Sequence, residues 1–78
     1  MPTVLRIGPY RFFFFSNEGD EPAHIHVQRD NALAKFWLKP VLLAGSSGFQ
    51  PHELRRIQRH VDENVDLLRE AWNERFDS

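Results

Sequence analysis

The sequence contains no cysteine, so neither a disulfide bond nor a thiolate zinc site stabilises the fold. No apolar run approaches the roughly 18 residues that cross a bilayer, and the N-terminal residues lack the pattern of a signal peptide. We therefore expect a soluble cytoplasmic domain. A Gly-rich phosphate loop, a G-x-S-x-G elbow and an H-E-x-x-H zinc motif are missing as well, which excludes three common classes of enzyme.

The chain is short, with 78 residues, and we expect a single domain over 1–78. A domain of this size buries only about 60% of the surface that its unfolded chain exposes, so its core is thin. Hydrophobic residues make up 41% of the chain and the net charge is −1. This composition permits folding, and it does not by itself demand a nucleic-acid partner.

The first half of the chain alternates apolar and polar residues, which indicates strands. Strands are predicted over 3–7, 10–16, 24–28 and 32–39, with turns at Gly8-Pro9 and Asp30-Asn31. The segment 41–44 is a short edge strand or an extended leg, and Pro40 separates it from the fourth strand. The segment 45–50, which begins with the sequence GSSG, reads as a flexible joint.

The second half of the chain changes to helical periodicity. Apolar residues recur at gaps of three and four along one stripe: Leu54, Ile57, Val61, Val65, Leu68, Trp72 and Phe76. The stripe predicts a long helix over 51–77, and a break within 60–64 that gives two helices stays open. The predicted fold is α+β: an antiparallel sheet of four or five strands over 1–44, followed by a long helix packed on one face.

Four consecutive phenylalanines at 12–15 raise the question of what covers both faces of the sheet. Phe12 and Phe14 point to one face of a strand, and Phe13 and Phe15 to the other. One helix covers one face only, so the other pair would form an exposed apolar patch. We expect a second chain to cover it, either a partner protein or another copy in a homodimer. The alternative is that the segment 40–49 folds back over the two rings.

The turn at Asp30-Asn31 sets the register of the third and fourth strands. It places His26 opposite Lys35 and His24 opposite Trp37. One face of this hairpin then carries an apolar set, consisting of Ile25, Val27, Ala34, Phe36 and Leu38. The other carries a mixed, cationic set, consisting of His24, His26, Gln28, Lys35, Trp37 and Lys39. The mixed set is typical of a binding surface, since aromatic rings stack and cations contact anions.

Three interpretations of His24 and His26 stay open. As a general acid–base pair without a cofactor, they would act on a phosphodiester, with Lys35 as a third catalytic residue at the phosphate. Substrate contacts would then come from Trp37, Lys39 and Arg29. As metal ligands they would bind a divalent metal with a carboxylate from Glu18, Asp20 or Glu21, and we name Glu21 as the third ligand. In the third interpretation they are structural residues of a half-buried strand.

Four segments together resemble the bacterial domain-of-unknown-function family 4160. They are MPTVLRIGPYRFFFFSNEG, EPAHIHV, AKFWL and ELRRIQRHVDENVDLLREAWNERF, which cover nearly the whole chain. The histidine motif of the family falls on His24 and His26. The resemblance implies a small bacterial protein encoded beside another small protein, an arrangement similar to a type II toxin–antitoxin pair. It supplies no established catalytic mechanism.

We therefore expect a toxin-like component of a two-gene module, acting on RNA or the translation machinery as a ribonuclease-like protein. A cognate antitoxin-like protein would be its partner. The alternative is a non-enzymatic binding module, antitoxin-like or an adaptor, that contacts a protein or nucleic acid. A metal-dependent role for the two histidines is the third hypothesis.

Overall fold

A computed structural model describes residues 3–76 and contains one antiparallel sheet followed by two helices. The strands lie side by side in chain order, so the sheet is a simple meander with β1 and β5 at its edges. The elements are β1 (Thr3–Ile7), β2 (Tyr10–Phe13), β3 (His24–Arg29), β4 (Ala32–Leu38), β5 (Val41–Ser47), α1 (Pro51–Glu63) and α2 (Val65–Phe76). The predicted fold class is confirmed, with five strands.

Two strand ends differ from the prediction by three residues, each for a local reason, and those of β3 and β4 differ by one. β2 ends at Phe13 rather than at residue 16, because the backbone N–H of Phe15 donates to a Glu18 carboxylate oxygen at 3.0 Å and the chain turns away. β5 continues through Ser47, so the first half of the expected joint at 45–50 is strand, paired with β4. Asp30 has a φ of 55°, as the tight turn between β3 and β4 requires.

The helical stripe forms two helices, the alternative that the sequence left open. α1 ends at Glu63, where the Asn64 side chain donates to the carbonyl of His60 at 2.9 Å and competes with the helical pattern. α2 begins at Val65. The predicted helix end at residue 77 lies outside the described residues. Within 3–76, neither helix is long and apolar enough to cross a membrane.

Both helices pack on the apolar face of the sheet, as predicted. Ile25, Phe36 and Leu38 of the sheet are fully buried and lie in one cluster with Leu68 and Trp72 of α2. The cluster contains the whole apolar set of the hairpin, together with Phe12 and Phe14. One side of a single sheet therefore carries the main core of this small domain.

The start of α1 is joined to this face by a polar cluster. Arg29 contacts the Glu53 carboxylate through two nitrogens, at 2.6 and 2.9 Å, and the hydroxyl of Tyr10 donates to the same carboxylate at 2.8 Å. Arg29 was predicted as a substrate contact. Its side chain lies on the helix side of the sheet, because side chains alternate along β3 and Arg29 shares a face with Ile25 and Val27.

Replacing Leu68 with Ala is expected to lower the free energy of unfolding by about 2–5 kcal/mol, because it leaves a cavity in the core. Leu67 is the matched control, since it is the neighbouring residue of the same helix and its side chain is 46% exposed. Leu67→Ala should change stability by no more than about 0.5 kcal/mol. Urea unfolding of both variants measures the difference, and equal losses would contradict this packing of α2.

The Glu53 cluster predicts a dependence of stability on pH. The hydrogen bonds from Arg29, and then from Tyr10, hold the pKa of Glu53 below its ordinary value of 4.5. The depressed pKa means that the stabilisation is complete above the unfolded-state pKa and is lost as the pH falls through the folded-state pKa. Urea midpoints between about pH 5 and pH 3 should therefore fall less steeply in Glu53→Gln than in the wild type. Arg29→Met should reduce the slope similarly, and an unchanged slope in both variants would refute the argument.

Candidate metal centre

His24 and His26 lie side by side on the face of the sheet opposite the main core. The register is the predicted one, with His24 opposite Trp37 and His26 opposite Lys35. Successive side chains alternate along β3, so the two imidazoles share one face while Ile25 between them points into the core. The predicted division of the hairpin into two faces is confirmed.

This face is nevertheless not the open surface that the sequence suggested. His24 is 0% exposed and His26 is 6% exposed. Phe13 stacks on His26 with ring centroids 5.5 Å apart, and Phe15 meets the same ring edge-on at 4.6 Å. Trp72 of α2 reaches His24 at the start of β3, with a centroid distance of 4.8 Å. Both imidazoles are therefore enclosed by aromatic rings.

The same contacts answer the question of the four phenylalanines. Phe12 and Phe14 are buried in the main core, and Phe13 is 2% exposed beside His26. Phe15 is half-buried. Rings on both faces are thus covered within one chain, by the helices on one side and the histidine cluster on the other. The exposed patch that led us to expect a second chain is absent from 12–14, and association itself stays a prediction.

Glu18 is the carboxylate that joins this cluster. Its two oxygens lie 3.0 and 2.8 Å from Nε2 of His26, and one of them lies 2.9 Å from Nε2 of His24. The backbone N–H of Phe15 donates to the same side chain. The segment 14–23 therefore folds back over β3, because Glu18 contacts both imidazoles and the start of its own loop.

The hydrogen bonds of His24 define its tautomer. Nδ1 lies 2.9 Å from the backbone carbonyl of Pro22, and a carbonyl only accepts, so Nδ1 carries a proton and donates. Nε2 is buried and has no hydrogen-bond partner among the described residues, although it lies 2.9 Å from Glu18. Histidine metal ligands have this arrangement, with one nitrogen donating to a carbonyl and the other free to coordinate.

The charges in the cluster are set by burial and by contacts within it. Burial raises the pKa of Glu18, but the contacts with His26 and His24 and the bond from Phe15 outweigh it, so the pKa lies below its ordinary value. Burial lowers the pKa of His26, and the nearby Glu18 only partly opposes this effect. At neutral pH the cluster thus presents an ionised carboxylate beside a neutral His26 imidazole, the states in which both groups coordinate cations.

The other residues predicted for this face lie at its margin. Lys35 is bound to Glu21 at 2.6 Å and lies over the ring of Trp37, 4.5 Å from its centroid. Glu21, named from the sequence as the third metal ligand, is 46% exposed and faces Nδ1 of His24, the nitrogen that already donates to Pro22. Lys39 is exposed in the turn before β5. The cluster itself therefore contains neither lysine.

Glu18, His24 and His26 together form a group that could hold a metal ion, with ligand atoms within 4.8 Å of one another. Glu18 was one of the three loop carboxylates offered by the sequence, from which Glu21 was named as the third ligand; the group in the structure contains Glu18. The choice depends on how the loop folds back, which brings a residue eight positions away onto His26. Two imidazoles and one carboxylate suit zinc and other first-row divalent cations.

A comparison with known protein families places this chain in a described group of sequences. The family model for "Domain of unknown function (DUF4160)" matches residues 10–73, which include the candidate ligands and the helical core. The chain belongs to this family. No curated protein and no solved structure matched it. The family description names no activity, and the geometry of the centre is what bears on function.

Glu18→Gln should destabilise the protein by about 1–3 kcal/mol with a chelator present, because the buried imidazoles lose their carboxylate partner. Glu21→Gln is the matched control, since it makes the same change in the same loop and alters only a partly exposed pair with Lys35 and a 3.9 Å contact with His24. It should leave stability nearly unchanged. Thermal and urea unfolding compare the two variants, and equal effects would show that Glu18 does not hold the loop.

Proposed function

We propose that this protein is a cytoplasmic, toxin-like component of a bacterial two-gene module whose action on RNA or the translation machinery requires a divalent cation. Glu18, His24 and His26 would bind the cation. The observation that carries the proposal is the convergence of both Nε2 atoms on one carboxylate, while His24 donates its other nitrogen to a backbone carbonyl. The metal interpretation of the histidines is thereby favoured over the metal-free acid–base pair.

The geometry of the three ligands is compatible with a bound cation. Ligand atoms in a tetrahedral zinc site lie about 3.3 Å apart when each is about 2.0 Å from the metal. The two nitrogen–oxygen contacts at 2.8 and 2.9 Å would widen by a few tenths of an ångström, which the side chain of a surface loop allows. Three protein ligands leave one position for water or for a phosphate oxygen, as in catalytic zinc sites.

The surroundings of the centre support a nucleic-acid substrate. Trp37 is half-buried beside His24, with ring centroids 5.7 Å apart, and offers a face on which a base stacks. Lys35 lies over this ring and is paired with Glu21, so a stacking base would displace its ammonium group. The family resemblance favours a partner encoded nearby, and a toxin held inactive by that partner needs only one site and one surface. These features support the toxin-like role over a purely structural one.

A second candidate function has its own observation. Both imidazoles are buried, and His26 binds Glu18 through Nε2 while its Nδ1 has no partner among residues 3–76. Without a metal, the pair would serve only to hold the segment 14–23 on the sheet. The protein would then be a non-enzymatic binding module, either antitoxin-like or an adaptor.

Cobalt(II) tests the metal centre directly, because its visible spectrum changes when it leaves water for protein ligands of fixed geometry. The wild-type protein should bind cobalt(II) and then release it to zinc(II), with one equivalent per chain. Glu18→Gln should weaken binding by about tenfold or more, as the loss of a ligand typically does. Glu21→Gln should bind as the wild type does. Equal affinity in Glu18→Gln and the wild type would refute the centre.

Expression without the neighbouring gene tests the toxin-like role. The wild type and Glu21→Gln should arrest growth, whereas Glu18→Gln and His24→Gln should not, at equal levels of folded protein. Growth arrest by all four proteins would show that toxicity does not require the metal centre. Normal growth with all four, together with intact cobalt binding, would favour the binding module.

A further inference from the structure

The edge strand β5 has features that the proposed metal centre does not use. β5 is one edge of the sheet, and no other strand within 3–76 pairs with its outer side. Six of its seven residues are exposed, and the side chains of Leu42 and Leu43 are 55% and 42% exposed. The strand therefore presents unpaired backbone groups and two large apolar side chains to solvent.

Edge strands in natural proteins are usually protected by charged side chains, proline or short length. The segment 40–50 contains no charged residue, and its only proline, Pro40, precedes the strand. The opposite edge differs: β1 has five residues and carries the exposed Arg6. Both edge strands have one register irregularity, so the difference between them is that β5 has no charged side chain.

A pocket of about 270 Å³ opens beside this unprotected edge. It lies on the face that bears the histidines, and His26, Leu33, Lys35 and Gly45 are among the residues that line it. Gly45 is paired with Lys35 and contributes no side chain, and a Cβ atom placed there would meet nothing within 4 Å. The pocket therefore exists because residue 45 is glycine, in a strand where most residues would fill the space.

An edge strand beside an apolar pocket is the arrangement by which β-strand addition recognises peptides. The backbone of an added strand supplies hydrogen bonds, and one of its side chains enters the pocket and gives specificity. We propose that β5 and this pocket bind an extended, uncharged segment of a partner protein, which directs one apolar side chain toward Leu33 and Gly45.

Charge complementarity favours a peptide strand over a nucleic acid at this position. Lys35, at the pocket, is already paired with Glu21 at 2.6 Å, so a phosphate finds no free cation there. The edge itself carries no charge. A peptide that places an apolar side chain in the pocket and uncharged residues along β5 matches the apolar pocket and the uncharged edge.

The probe is a short synthetic peptide in which threonine and valine alternate around a central leucine, with a lysine at each end for solubility. Backbone amide signals of the full-length protein are followed by NMR. Signals from residues 41–47 and Leu33 should shift saturably, and the β5 amides should exchange more slowly with solvent. A peptide with N-methyl groups on alternate amides should not bind, because it lacks the donors that an added strand requires.

Gly45→Val tests the pocket separately from the edge. Valine suits a strand and would project into open space, so the melting temperature should be preserved. Affinity for the leucine peptide should fall about tenfold, since the pocket no longer buries an apolar side chain. Ala44→Val, which adds an exposed apolar side chain at the neighbouring position, should bind the peptide as the wild type does. Cobalt binding should be unchanged in both variants. A failure of the peptide proposal can therefore be told apart from a failure of the proposed metal centre.

Three results would overturn the proposal. The first is the absence of shifts in 41–47 at millimolar peptide. The second is a short oligoribonucleotide that shifts the same signals while the peptide does not, which would assign the pocket to RNA. The third is a concentration-dependent dimer, lost in Gly45→Val by sedimentation, which would make a second copy of this chain the occupant.

Discussion

The contact of one carboxylate with two buried imidazoles determines how half of this protein is arranged. Glu18 binds His26 and lies against His24, and it also accepts the backbone N–H of Phe15. Buried polar groups are costly unless they are paired, so the loop must stay folded over the strand for both rings to be tolerated there. The same requirement ends β2 early and places Phe13 and Phe15 against His26.

That arrangement lets a short chain cover two faces of one sheet. The helices bury the apolar face through residues such as Ile57 and Leu68. At its histidine end the opposite face is covered by the irregular segment 14–23, together with Phe13 of β2 and Trp72 of α2. The phenylalanines at 12–14 are thus covered within one chain, and association with a second chain stays a prediction.

The histidine face carries two features of different chemistry, a candidate metal centre and a candidate peptide pocket. The candidate metal centre lies under the loop, and the pocket beside β5 lies on the same face, with His26 common to both. The edge strand is left open because Gly45 and its uncharged neighbours neither fill the pocket nor repel another strand. The candidate metal centre and the proposed partner surface can be tested independently, because Gly45 lines the pocket and is not among the candidate metal ligands.

The sequence by itself determined the elements that depend on local pattern. Alternation and the turn at Asp30-Asn31 correctly predicted the register of His24 and His26 with β4, because a tight hairpin fixes pairing within a few residues. Helical spacing likewise predicted which residues of α1 and α2 are buried. Tertiary structure alone decided that Glu18, rather than Glu21, meets the histidines, since this depends on the path of a loop without periodicity. It also decided that both imidazoles are buried. The rings that cover them come from β2, the loop and α2, and no local sequence pattern specifies how these three segments pack together.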